Sequence, residues 1–92
     1  MSTLDASSQP RLAAGVRLQH DRARDQWVLL APERVIELDA IAHAIVSRCD
    51  GVRSLATIAA ELAAEFEADP AEVERDVREL AQQLHAKRLL RA

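Results

Sequence analysis

The chain has 92 residues, which sets one domain as the default, and about half of them are apolar (49%), mainly Ala and Leu, with Trp27 and Phe66 as the only aromatics. Such a core is thin and helix-friendly, and no apolar run approaches the roughly 18–20 residues that would span a bilayer. The net charge of −3 conceals an asymmetry: five Arg face Asp21, Asp25 and Glu33 from Arg11 to Arg34, whereas eight carboxylates face only Arg75 and Arg78 from Glu61 to Glu79. An acidic C-terminal part repels phosphate backbones.

Met1 to about Pro10 is polar and lacks a basic cluster, so it reads as a disordered lead-in (residues 1–10) and not as a signal peptide. The folded domain is expected over residues 11–92. In Gly15–His20 the residues Val16, Leu18 and His20 alternate with Arg17 and Gln19, the pattern of a half-buried strand. Asp21–Asp25 is a polar loop short enough to return the chain antiparallel into Gln26–Leu30. Ala31-Pro32-Glu33-Arg34 suits a tight turn, because Pro32 presets φ at the second position and holds Ala31 extended. Val35–Leu38 then forms a short third strand, with Ile36 and Leu38 on one face and Val35 and Glu37 on the other. Placed last before an all-helical remainder, this strand is expected to leave its outer side unpaired.

Asp39 is an N-cap for a helix over Ala40–Arg48 with the stripe Ile41, Ala42, Ile45, Val46 and Cys49. Asp50-Gly51 stops it, with Gly51 free to adopt the left-handed conformation. Ser54 caps a second helix with Leu55, Ile58, Ala59, Leu62 and Phe66 on one face. Asp69-Pro70-Ala71-Glu72 opens the third helix with an N-cap, Pro at N1 and an acid placed for a capping box. Its stripe is Val73, Val77, Leu80, Ala81 and Leu84, and Glu74–Arg78 and Arg75–Glu79 are i,i+4 pairs. Leu89 and Leu90 fold back on the core. The fold class is therefore α+β: a three-stranded antiparallel sheet followed by three helices, the parts of a winged helix-turn-helix.

Three chemistries compete for function. For catalysis or a metal, His20, His43 and His85 have no repeating spacing, and the lone Cys49 lies at a helix C-terminus, where the dipole disfavours thiolate. The chain is thus expected to be no enzyme and to hold no cofactor, with Cys49 a buried thiol in a reducing cytoplasm. For nucleic acid, the alternative as a winged-helix regulator, the third helix carries Glu72, Glu74, Asp76 and Glu79, the wrong balance for phosphate and base contacts. For peptides, a free strand edge beside a helix stripe offers main-chain groups and apolar pockets, the β-augmentation mode. The bland reading is an edge strand protected by Arg34 and Glu37, and the residues alone leave both open. A free edge, a thin core and the Ala31-Pro32 hinge also favour a strand-edge or swapped homodimer.

Several segments together resemble the PqqD family: Pro10-x-Leu12-x-x-Gly15-Val16-Arg17-Leu18-x-x-Asp21, Trp27 to Val35 with its Leu-x-Ala-Pro-Glu-Arg core, Cys49-Asp50-Gly51, Asp76-Val77, Leu84 and Leu89-Leu90. Departures are Leu80 where a Phe is usual, Ala81 where a Leu is, and Arg88 in place of a Gly. The resemblance implies a cytoplasmic, non-catalytic peptide chaperone, a recognition element in the biosynthesis of pyrroloquinoline quinone (PQQ). It would bind the precursor peptide PqqA and present it to the radical S-adenosylmethionine (radical SAM) enzyme PqqE. It also implies the site: Arg34, Val35, Ile36, Glu37 and Leu38 for backbone pairing, with Asp76, Val77, Leu80, Ala81 and Leu84 as the opposite wall.

Overall fold

The computed structural model describes residues 4–92. Its elements in order are β1 (Arg11–Leu12), β2 (Arg17–Asp21), β3 (Gln26–Ala31), β4 (Arg34–Leu38), α1 (Ala40–Val46), α2 (Leu55–Glu65), α3 (Pro70–Ala86) and β5 (Leu90–Arg91). The antiparallel sheet β2-β3-β4 followed by three helices is the α+β arrangement expected from the sequence. No described helix is long and apolar enough to cross a membrane.

Two loops set the sheet. Asp25, at φ 52°, closes the β2–β3 loop, and its carboxylate meets the His20 ring at 2.9 Å. Pro32 and Glu33 alone join Ala31 to its cross-strand partner Arg34. Pro32 requires a negative φ and Glu33 sits at 65°, the pattern of a type II turn. Leu29 is fully buried at the centre of the sheet, and Leu38 closes its end. The sheet packs its apolar face on Ile45, Val46, Leu55, Ile58, Leu62, Val77, Ala81 and Leu84.

The helix caps follow the sequence closely. Asp39, Ser54 and Asp69 accept from the Ala42, Thr57 and Ala71 amides, each satisfying a donor the helix leaves orphaned. Asp69 takes the N2 amide of Ala71 instead of the N3 amide of Glu72, and among the described residues Glu72 makes no return bond, so the expected capping box does not form. Glu74–Arg78 is paired at 3.1 Å, while Arg75–Glu79 is not paired among the described residues. α1 ends at Val46, two residues before Arg48, because Arg48 and Cys49 donate to Ile45 and Val46 in tighter i→i+3 turns. Both longer helices end in Schellman motifs: Ala68 donates to Ala63 and Leu89 to Leu84. The residues in the left-handed position are Glu67 (φ 51°) and Arg88 (φ 62°), where glycine is the unstrained choice.

The described part of the N-terminal segment departs from expectation. Leu4 and Pro10 are buried, and the Ser8 and Ala6 carbonyls accept from the Leu55 and Ala56 amides at 2.9 and 3.0 Å. Leu4–Pro10 thus supplies acceptors for the first turn of α2 and is no free lead-in; residues 1–3 lie outside the described residues. β1 pairs antiparallel with β5, so Leu90 folds back as part of a second, two-stranded sheet, and Leu89 is buried just before it, as expected. Gly51 (φ 81°) donates to the Pro10 carbonyl, and its left-handed conformation calls for glycine.

Candidate functional site: the open edge of β4

The strand order leaves β4 at one edge of the three-stranded sheet. Which of its amides are unpaired follows from the register. Ala31 and Arg34 flank a two-residue turn, so they exchange hydrogen bonds, and the antiparallel ladder then alternates. Arg34, Ile36 and Leu38 direct their main-chain groups at β3. Val35 and Glu37 direct theirs outward. Val35 also exposes 64% of its surface, and Ile36 turns its side chain toward the core.

One side of this edge is bounded by helices. Arg34 donates to the Lys87 carbonyl at 2.9 Å, which ties the start of β4 to the end of α3. At the other end Asp39 leads into α1, whose Ile41, Ala44 and Ile45 share a cavity of about 170 Å³ with Val73, Asp76 and Val77 of α3. The start of β4 thus lies at the C-terminal end of α3, and the end of β4 leads into the helix that meets the N-terminal part of α3.

The expected site residues divide by accessibility. Arg34, Val35 and Glu37 are exposed, and Ile36 is half-buried. On α3, Asp76 is exposed and Leu80 half-buried. Val77, Ala81 and Leu84 are buried in the core, so they back the wall without forming its surface. Leu38 is likewise buried, and its carbonyl accepts from the Gln26 side chain at 2.6 Å.

The charge asymmetry resolves into two kinds of carboxylate. Glu61 and Glu65 are neutralised by Arg48, and Glu61 also by Arg53, which in turn holds Asp50 at 2.7 Å. Hydrogen bonds from the Arg53 and Val52 amides hold the Asp50 carboxyl below the usual range. Glu72, Asp76 and Glu79 have no cation within 4 Å among the described residues. Their charge faces outward along the α3 wall.

Other titratable groups are engaged structurally. His20 and His43 lie on either side of Trp27, with ring centroids 4.9 and 4.2 Å away, so two histidines distant in sequence meet on an indole. Burial, and secondarily the Asp50 charge, push the Cys49 thiol up to about 12, and the thiol donates to the Ile45 carbonyl. No group of three His, Cys, Asp or Glu able to hold a metal occurs among the described residues.

The residues that sequence reasoning misplaced are Ile41 and Phe66. Both belong to the apolar stripes of their helices, and each is 49% exposed at the mouth of the α1–α3 cavity. Periodicity put them on the correct helix faces. Phe66 is the C-cap of α2, where the helix ends, and Ile41 lies in the first turn of α1.

The family model for coenzyme PQQ synthesis protein D (PqqD) matches residues 26–90, which include the whole of β4 and α3. The chain belongs to the PqqD family. A curated relative from Xanthomonas euvesicatoria pv. vesicatoria, named PqqA binding protein, is 69% identical over 91 residues, 99% of each chain. The solution structure of the PqqD truncation of Methylobacterium extorquens PqqCD is described as a stand-alone recognition element for ribosomally synthesized, post-translationally modified peptides. It superposes on this PqqD-family chain with a TM-score of 0.85 at 40% identity, covering 98% of this chain and 96% of its own. The crystal structure of PqqD from Xanthomonas campestris is 66% identical, with a TM-score of 0.64 and coverage of 98% and 100%.

Proposed function

We propose that this protein is a non-catalytic peptide chaperone of PQQ synthesis that binds the precursor peptide PqqA as an added strand on β4 and presents it to the radical SAM enzyme PqqE. The observation that carries this reading is the pair of outward main-chain units at Val35 and Glu37, on a strand that Arg34 ties to the end of α3. The names of the similar proteins support the choice of PqqA.

Two residues offer two N–H and two C=O groups, and each hydrogen bond contributes about 0.5–1.5 kcal/mol net. Ordering a disordered peptide costs on the order of 2–5 kcal/mol. Main-chain pairing alone therefore sets register and direction and little more. Side-chain contacts with Leu80, Val35 and the acidic α3 surface must provide the surplus, and Asp76 and Glu79 favour basic residues in the guest.

An NMR titration with PqqA tests the proposal. Shifts are expected to concentrate on Arg34–Leu38 and Asp76–Leu84, and a parallel titration with duplex DNA is expected to leave those signals in place. Saturable DNA shifts along α3 without any response to PqqA would favour the winged-helix regulator instead.

A further inference from the structure

The cavity of about 170 Å³ between α1, the end of α2 and the start of α3 lies beyond the Leu38 end of the β4 edge. Ile41, Ala44, Leu62, Phe66, Val73 and Val77 make its walls apolar. An apolar cavity of about 150 Å³ stays dry and accepts benzene, so this space fits one large apolar side chain. Ile41 and Phe66 remain half exposed at its mouth, leaving apolar surface in water that an occupant would cover.

The rim defines what accompanies that side chain. Glu72 and Asp76 both line the cavity and stand at i and i+4 on α3, where like charges repel. Neither has a cation within 4 Å among the described residues. A Lys or Arg next to the buried apolar group would relieve that repulsion.

We propose that this cavity anchors one Leu-, Met- or Phe-sized side chain of the guest peptide, adjacent in the peptide to a basic residue that pairs with Glu72 and Asp76. The proposal rests on the peptide-binding reading above and adds a second point of attachment. A guest strand running along β4 past Leu38 reaches α1 next, so the anchor holds in place the register that two residues' worth of main-chain bonds set only weakly. It also provides the apolar burial that the strand edge lacks.

Phe66 carries the only phenyl ring, and the chain has no Tyr, so its ring protons give an unambiguous NMR signal. In an isotope-filtered experiment with labelled protein and unlabelled PqqA, nuclear Overhauser contacts are expected from the Phe66 ring and Ile41 methyls to an apolar side chain of the peptide. Ala68→Phe fills the cavity from an exposed position and is expected to weaken binding about tenfold or more. Glu72→Gln with Asp76→Asn should weaken it further at low ionic strength than at high. If the β4 amides respond to PqqA while Phe66 shows no contact and Ala68→Phe binds like the parent, the anchor is wrong and the edge reading stands. A protein indifferent to PqqA overturns both. Should Ala68→Phe change only sedimentation, the cavity belongs to a second copy and the anchor fails. Where Ala68→Phe does not fold, the Phe66 contacts decide.

Discussion

β2 and β4 are both five-residue edge strands of one sheet, yet they present different surroundings to solvent. Ladder alternation turns the main-chain groups of Leu18 and His20 outward on β2, just as it does those of Val35 and Glu37 on β4. β2 is bounded by the Gly15 turn and the polar Arg22–Asp25 loop. β4 runs into α1 and is tied by Arg34 to the end of α3, with an apolar cavity at its far end. Unpaired main chain is therefore common to both edges. On the proposed reading, the flanking helix is what would distinguish a receptor from a strand that merely ends the sheet.

The largest expected effect removes the support of that helix. Leu84 is buried behind the α3 wall, and Leu84→Ala should cost about 2–5 kcal/mol of stability, measured as a lower urea midpoint with a similar slope. A proline scan then separates the two sides of β4. Val35→Pro removes an outward N–H, so the fold should persist while PqqA affinity falls about tenfold, equivalent to about 1.4 kcal/mol. Ile36→Pro removes a ladder bond to β3 and should lower the unfolding temperature instead. Equal behaviour of the two variants would break the distinction between paired and open main chain.

Arg88→Gly tests strain at the junction where β4 meets α3. Arg88 occupies a left-handed position at 62°, so glycine should stabilise the fold by about 1 kcal/mol in thermal unfolding and leave affinity unchanged. The last prediction lies away from both edges. The folded state keeps a proton on Cys49 that the unfolded chain releases near 9.0, and holds it until about 12. This contribution to stability is fully present below 9.0 and is lost as pH rises toward 12. Cys49→Ala should flatten that alkaline limb in pH-dependent denaturation.

Much of the sheet that carries the proposed site was legible in the sequence. Alternation in Gly15–His20 and Val35–Leu38, the Pro32 turn, and the caps Asp39, Ser54 and Asp69 are local signals, and they place these elements to within about two residues. The orientation of the Val35 amide was not legible, because it depends on a register that only the closed two-residue turn establishes. β1 and β5 escaped notice because two-residue strands have no periodicity and their partners lie at opposite ends of the chain. Leu4, a lone apolar residue in a polar run, was the one available sign that the N-terminal segment packs. On α3 the stripe correctly identified the inward face, and an inward face is core, so Val77, Ala81 and Leu84 are buried in this structure.

Hydrogen exchange at the two edges tests the central claim most directly. Saturating the protein with PqqA should slow exchange of the Val35 and Glu37 amides markedly and leave Leu18 and His20 as fast as in the free protein. Protection that appears at Leu18 and His20, or at neither edge while the peptide is bound, would contradict it.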